Sequence, residues 1–310
     1  MQRSDHRIFV HVGLPKTATT ALQQDVFPLL PGVTYLGFKG TRIADPALRA
    51  AAEMIVAALK FAAREIVEAP VLHPRLAQAV DAVARLRGPV LLSEESLATS
   101  ANQLDYDRVP LVPRALRRLF GRRAAAIVVL REPVAFVASL LQQKMWTRPH
   151  AGRAIRSDGR WPRPRDIIDL HLDRSARGDP RFIFTSACRY DRILGWYRGT
   201  LGADACHVLA YEALFDERRL YRTAFAAILG TPPTDAVAGR ENESSDAKRT
   251  EMARHFLGAE ADPARIAEFA AAWSDVRSVV AADDRLTAYL ARHCAAPYLA
   301  ALRGMGIDRD

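Results

Sequence analysis

A lysine three residues after a glycine, inside a run of hydroxyl side chains, is the arrangement in this chain best suited to chemistry: His11-Val12-Gly13-Leu14-Pro15-Lys16-Thr17-Ala18-Thr19-Thr20. Lys16 supplies a mobile point charge, Thr17, Thr19 and Thr20 supply donors, and the first N–H groups of a following helix supply the positive end of its dipole. Such a loop attracts anionic oxygens, so it reads as a phosphate-type site. It is not the Walker pattern GxxxxGK[ST], because no glycine directly precedes Lys16. The competing reading is an ordinary strand–turn–helix with a surface lysine. A second place with suitable chemistry is Arg131, followed eight residues later by Ser139. An arginine can fork onto a phosphate dianion and a serine adds a neutral donor, although Arg131 alone reads equally well as a salt-bridge partner.

These residues need elements to hold them. Residues 7–12 (RIFVHV) form a short β-rich run ahead of the loop, and ALQQDVFPLL after it has helical spacing. The pattern repeats at 88–100, where VLLS is an apolar strand and EESLATS turns away. It repeats most clearly at AAAIVVL (124–130), which Arg131-Glu132-Pro133 ends and VAFVASLLQQKMW continues as a helix. Pro133 suits a first helical turn, where a missing N–H costs nothing. CHVLAYEAL (206–214) reads as a further strand leading into a helix. Apolar strands alternating with helices predict an α/β fold, a parallel sheet covered on both faces. Amphipathic helices are expected over 46–87, and an Arg-, Pro- and Gly-rich surface loop over 147–166. The chain from 246 onward should be helical, with turns near 261–263 and 295–297. Neither a repeat nor a dividing linker is visible, so residues 1–310 are expected to form a single domain with helical insertions at about 40–87 and 145–185 and a helical C-terminal region at about 246–305.

The formal charge of +9 suits an anionic partner. Lysine occurs only at Lys16, Lys39, Lys60, Lys144 and Lys248, so the surplus is almost wholly arginine, as biased base composition would also produce. Against that background a lysine inside a phosphate loop stands out. Three cysteines, Cys188, Cys206 and Cys294, lack CxxC spacing and cannot all pair, which disfavours a disulfide frame or zinc knuckle and suits a reducing compartment. No apolar run resembles a signal peptide or approaches the ~18 residues that would span a bilayer. A cytoplasmic protein is expected.

VGLPKTATTALQ resembles the 5′-phosphosulfate-binding loop of sulfotransferases that use 3′-phosphoadenosine-5′-phosphosulfate (PAPS), whose pattern is Pro-Lys-[Ser/Thr]-Gly-Thr-Thr. Ala18 replaces the usual glycine. Since alanine resists positive φ, ordinary helical geometry is expected there. Arg131-Glu132-Pro133-Val134-Ala135-Phe136-Val137-Ala138-Ser139 resembles the family's 3′-phosphate motif, and Val208-Leu209-Ala210-Tyr211-Glu212-Ala213-Leu214 resembles its strand ending in Tyr-Glu-Asp-Leu, whose tyrosine lies near the adenine. Tyr211 also reads as a core tyrosine. Arg240-Glu241-Asn242-Glu243-Ser244 stands where bacterial members carry Asn-x-Ser, while the Lys-Gly-x-x-Gly loop of animal cytosolic members is absent, so either another basic group such as Arg240 does that work or nothing does.

The resemblance implies a P-loop-like sulfotransferase fold in which Lys16, Thr17, Ala18, Thr19, Thr20, Arg131, Ser139 and Tyr211 bind PAPS. It implies transfer of the sulfuryl group to a hydroxyl or amine of a small-molecule or glycan acceptor, with 3′,5′-ADP as the other product. Lys16 would be catalytic, by analogy with phosphoryl transfer. The general base in this family is a histidine or glutamate, and Leu91-Leu92-Ser93-Glu94-Glu95-Ser96 offers Glu95 first and Glu94 next. An acidic pair capping a helix is the plainer account of both, and His11 reads better as a core histidine than as a base. The scheme needs no metal. Two other classes stay open: a nucleotide-dependent kinase or NTPase, and a non-catalytic binder of an anionic nucleotide or glycan. A nucleic-acid partner is not expected, because the basic loop has few aromatics for stacking.

Overall fold

The computed structural model describes residues 8–37, 43, 45–64, 74–97, 111–147, 163–176, 188–215, 218–232, 249–251, 253–254 and 261–307. Its centre is five strands: β1 (Ile8–Val12), β2 (Thr34–Gly37), β3 (Val90–Glu94), β4 (Ala124–Leu130) and β5 (Cys206–Ala210). They form a wholly parallel sheet in the order β2-β3-β1-β4-β5. Every residue of β1, β3 and β4 is buried, as continuous apolar runs must be when helices cover both faces. The fold is α/β, as expected.

Helices join and cover the strands. The turn α1 (Thr19–Ala21) runs on through a π-type turn, Leu22–Val26, and a 3₁₀ turn, Phe27–Leu29. Then come α2 (Pro46–Arg64), α3 (Pro74–Ala84), α4 (Leu111–Phe120), α5 (Pro133–Thr147), α6 (Pro164–Ala176), α7 (Tyr190–Leu201), α8 (Tyr211–Phe215) and α9 (Arg218–Leu229). Four more, α10 (Pro263–Ala272), α11 (Val276–Ala281), α12 (Asp284–Leu290) and α13 (Ala296–Gly304), follow toward the C-terminus. Phe27 stacks on Phe225 of α9 at 5.5 Å, and Phe136 of α5 meets Tyr190 of α7 edge-on at 5.7 Å. The C-terminal helices share the central core, with Phe269, Trp273, Leu286 and Leu302 all buried in it. Among the described residues, no helix is long and apolar enough to cross a membrane.

Strand order and register decide where a ligand can sit. The connections leaving β1 lead to β2 and β3 on one side, while β4 and β5 lie on the other. The neighbours β1 and β4 therefore send their chains in opposite directions, and the crevice beyond their carboxyl ends is where open α/β sheets bind ligands. Val12 pairs with both Glu94 and Val128, and Leu130 pairs with Ala210. Gly13, Glu95, Arg131 and Tyr211 are thus each the first residue past the end of a strand, all along one edge of the sheet.

The observed fold departs from the expected one in three places. The strand β2 was not anticipated, because Thr34–Gly37 is short and only half apolar. No turn interrupts 295–297: Ala291–Ala295 forms a wide π-type turn that runs directly into α13. That turn shifts the carbonyl an ordinary helix would aim at the ring of Pro297, so the proline is held without a break. A helix, α6, already begins inside the stretch expected to be a 147–166 loop. Residues 148–162 of that loop, and the Arg240–Ser244 segment, lie outside the described residues.

Candidate functional site

The loop after β1 is built around backbone that few residues adopt. Lys16 and Ala18 both have positive φ, 63° and 60°, with Thr17 between them on the negative side. Left-handed backbone costs an L-residue about 1–2 kcal/mol, so the ordinary helical geometry expected at Ala18 is not what forms. Alternation of this kind turns successive N–H groups toward one concavity, the nest geometry that holds anions. The loop's interior fixes it in place. Thr17 Oγ1 donates to the Leu14 carbonyl at 2.7 Å, and Thr19 Oγ1 donates to the same oxygen at 3.4 Å. Both hydroxyl protons are therefore used within the loop. Gly13 makes the loop's close approach possible. A Cβ there would stand 2.6 Å from Thr19 Oγ1 and 2.9 Å from the Cα of Glu95.

Arg131 reaches across the crevice from β4. Its Nη1 donates to the Lys16 carbonyl at 3.0 Å, which joins the two segments singled out in the sequence. Its guanidinium lies over the Tyr211 ring, 4.4 Å from the centroid, a cation–π contact that follows from the paired ends of β4 and β5. Its backbone carbonyl accepts from the Tyr190 hydroxyl at 3.0 Å. Nε of Arg131 is buried and has no partner among the described residues. Ser139 lies on α5, half-buried.

The helix that carries Ser139 has its N-terminus capped from within the motif. The Glu132 carboxylate accepts from the N–H groups of Val134 and Ala135 at 2.9 and 2.8 Å, a stable cap ahead of Pro133. The N–H of Glu132 donates to Glu212 Oε1 at 2.9 Å, and Glu212 Oε2 accepts from the Tyr298 hydroxyl at 2.8 Å. Arg277 of α11 lies 3.5 Å from Glu132 Oε2.

At the end of β3, Glu94 and Glu95 part company. Glu94 is buried and pairs with Lys60 of α2 at 3.0 Å, while Glu95 is half-buried and opens the 3₁₀ turn Glu95–Leu97. His11 is wholly enclosed; its Nδ1 lies 2.8 Å from Ser93 Oγ, and burial lowers its pKa to about 3. A neutral imidazole sealed from solvent is a core residue. Sequence reading missed Lys60, Tyr190, Glu212 and Tyr298 as parts of this constellation. Lys60 carried a usable signal as a rare lysine in an arginine-rich chain, and Glu212 carried one by following Tyr211 directly. Tyr298 carried none, being distant in sequence and alike to any core tyrosine.

No protein-family model matches the chain, and neither does any curated protein. Among solved structures, the crystal structure of a sulfotransferase from Alicyclobacillus acidocaldarius is similar at a TM-score of 0.45 and 15% identity, over 86% of this chain and 98% of that one.

Proposed function

We propose that this chain, read as one domain over residues 1–310, is a PAPS-dependent sulfotransferase acting on a hydroxyl or amine. The observation that carries the reading is the bridge from Arg131 to Lys16 across the β1–β4 crevice. It brings a cation suited to a phosphate dianion beside a nest-forming loop that ends in an N-terminal helical turn. The residues present fit such a nucleotide. The buried Nε of Arg131 still has a donor to give, and the backbone at Lys16 and Ala18 is held in strained geometry of the kind that clusters at ligand sites.

PAPS supplies an activated sulfuryl group on a phosphate leaving group. The acceptor oxygen or nitrogen attacks sulfur in line, the bond from sulfur to the phosphate oxygen breaks, and that oxygen keeps the electron pair. Lys16 and the loop N–H groups neutralise the charge that builds on it. Arg131 and Ser139 hold the 3′-phosphate. Glu95 takes the acceptor proton, since it is half-buried at the mouth of the crevice past the end of β3, whereas Glu94 lies buried within the strand.

The test is a comparison of nucleotides and variants. Ligands that bind only the native state raise its melting temperature, so 3′,5′-ADP should raise it clearly more than 5′-AMP or ATP with magnesium. Equal shifts for 3′,5′-ADP and 5′-AMP would remove the 3′-site, and a larger shift with ATP and magnesium would favour a kinase. In transfer assays that follow the mass gain of one sulfuryl group, Lys16→Ala should lose about two to three orders of magnitude in kcat. Glu95→Gln should lose about a hundredfold with 3′,5′-ADP binding retained.

A further inference from the structure

We propose that Glu212, held by Tyr298 of the C-terminal helix, is the positioning residue that aims Arg131 and so sets selectivity for a 3′-phosphorylated nucleotide; this rests on the donor reading above. Arg131 and Glu132 stand directly past the end of β4, where no strand pairing holds the backbone. Glu212 supplies the missing hold. One carboxylate oxygen takes the Glu132 N–H at 2.9 Å and the other takes the Tyr298 hydroxyl at 2.8 Å, so the group is fixed at both ends. A carboxylate that accepted only the N–H could swing about its side-chain torsions. With the phenol attached it cannot.

The consequence passes to Ser139 and Arg131 by two short routes. Glu132, whose N–H Glu212 holds, caps α5 and so sets the start of the helix that bears Ser139. Tyr211, the residue before Glu212, lies against the Arg131 guanidinium. The remaining contacts of Arg131, from its carbonyl to Tyr190 and from Nη1 to Lys16, fix the base and one corner of the group. Together these leave the buried Nε among the N–H groups the guanidinium can still give, and a fork of this kind holds an anion only while its plane stays against Tyr211. Charge-assisted bonds from arginine depend on plane and angle, so a small misplacement removes them.

The experiment measures Kd by calorimetry for 3′,5′-ADP and 5′-AMP with the full-length protein, as wild type, Tyr298→Phe, Glu212→Gln and Glu212→Ala. The expected result is that the preference for 3′,5′-ADP falls roughly tenfold in Tyr298→Phe and further in Glu212→Ala, with Glu212→Gln between them because it keeps an acceptor oxygen. The affinity for 5′-AMP should fall distinctly less than that for 3′,5′-ADP, because 5′-AMP shares the contacts at Tyr211 and the loop after β1 but has no 3′-phosphate for Arg131 to hold. A merely structural role would lower both affinities together, and that outcome overturns the proposal. So does an unchanged preference in every variant that folds. Tyr298→Phe removes a single oxygen and decides the matter if Glu212→Ala fails to fold. A wild type without any preference for 3′,5′-ADP sinks the donor reading along with this inference, whereas a preference that survives the substitutions sinks only the inference.

Discussion

Ala18 holds a backbone conformation that its methyl group opposes, and the loop retains it because its neighbours leave little choice. Thr17 and Thr19 are tied to the Leu14 carbonyl, Gly13 is pressed against Glu95, and Arg131 holds the Lys16 carbonyl. Left-handed geometry at two residues of three is a local cost that the surrounding contacts offset. Ala18→Gly removes one such cost. Glycine adds unfolded-state entropy of its own, so the net gain should be about 1 kcal/mol in urea unfolding, with the affinity for 3′,5′-ADP kept or improved. A loss of stability would mean that the partly buried Ala18 methyl contributes more by packing than the backbone costs.

Between β1 and β3 a polar seam runs through an otherwise apolar sheet, and it makes the protein sensitive to acid. Gln23 Nε2 donates to Ser93 Oγ at 3.0 Å, the same oxygen lies 2.8 Å from His11 Nδ1, and the buried Nε2 of His11 has no partner among the described residues. The folded state keeps His11 neutral, its pKa lowered by burial from 6.5 to about 3. The unfolded chain therefore binds the proton first. Stability is whole above pH 6.5 and falls by about 1.4 kcal/mol per pH unit as pH drops toward 3. His11→Asn keeps a polar group near Ser93 but cannot titrate, so its stability should depend less on pH between those limits; an undiminished slope would place the acid sensitivity elsewhere. This seam also shows what sequence can and cannot convey. The runs that became β1, β3, β4 and β5 were legible because continuous apolar strands bounded by turns have few other uses. The residues directly past them, Gly13, Glu95, Arg131 and Tyr211, were legible with them, since strand ends follow from strand spans. Short β2 was not, and neither was the contact of Glu212 with Tyr298, because nothing local in either residue specifies a partner 86 positions away. The positive φ at Ala18 could not be read from residue preference, since preference there pointed the other way.

At the scale of the whole molecule, the three cysteines report on whether the C-terminal helices and the sheet open as one body. All three are buried: Cys188 just ahead of α7, Cys206 at the start of β5, and Cys294 in the π-type turn before α13, where its Sγ donates to the Cys188 carbonyl. Burial pushes the Cys206 thiol up to about 11 and raises that of Cys188 as well, so at about pH 8 both are far less ionised than an exposed thiol. Labelling by a thiol-reactive disulfide reagent must then proceed through opening of the fold, and its rate at each site measures the free energy of the opening that exposes it. A single cooperative domain predicts that Cys206 and Cys294 react at the same slow rate. It also predicts that 3′,5′-ADP slows both equally, because a ligand that binds only the closed state opposes every opening that destroys its site. Peptide mapping of the labelled protein separates the sites. Should Cys188 and Cys294 react well before Cys206, the C-terminal helices form a separately opening unit, and the one-domain reading of residues 1–310 fails.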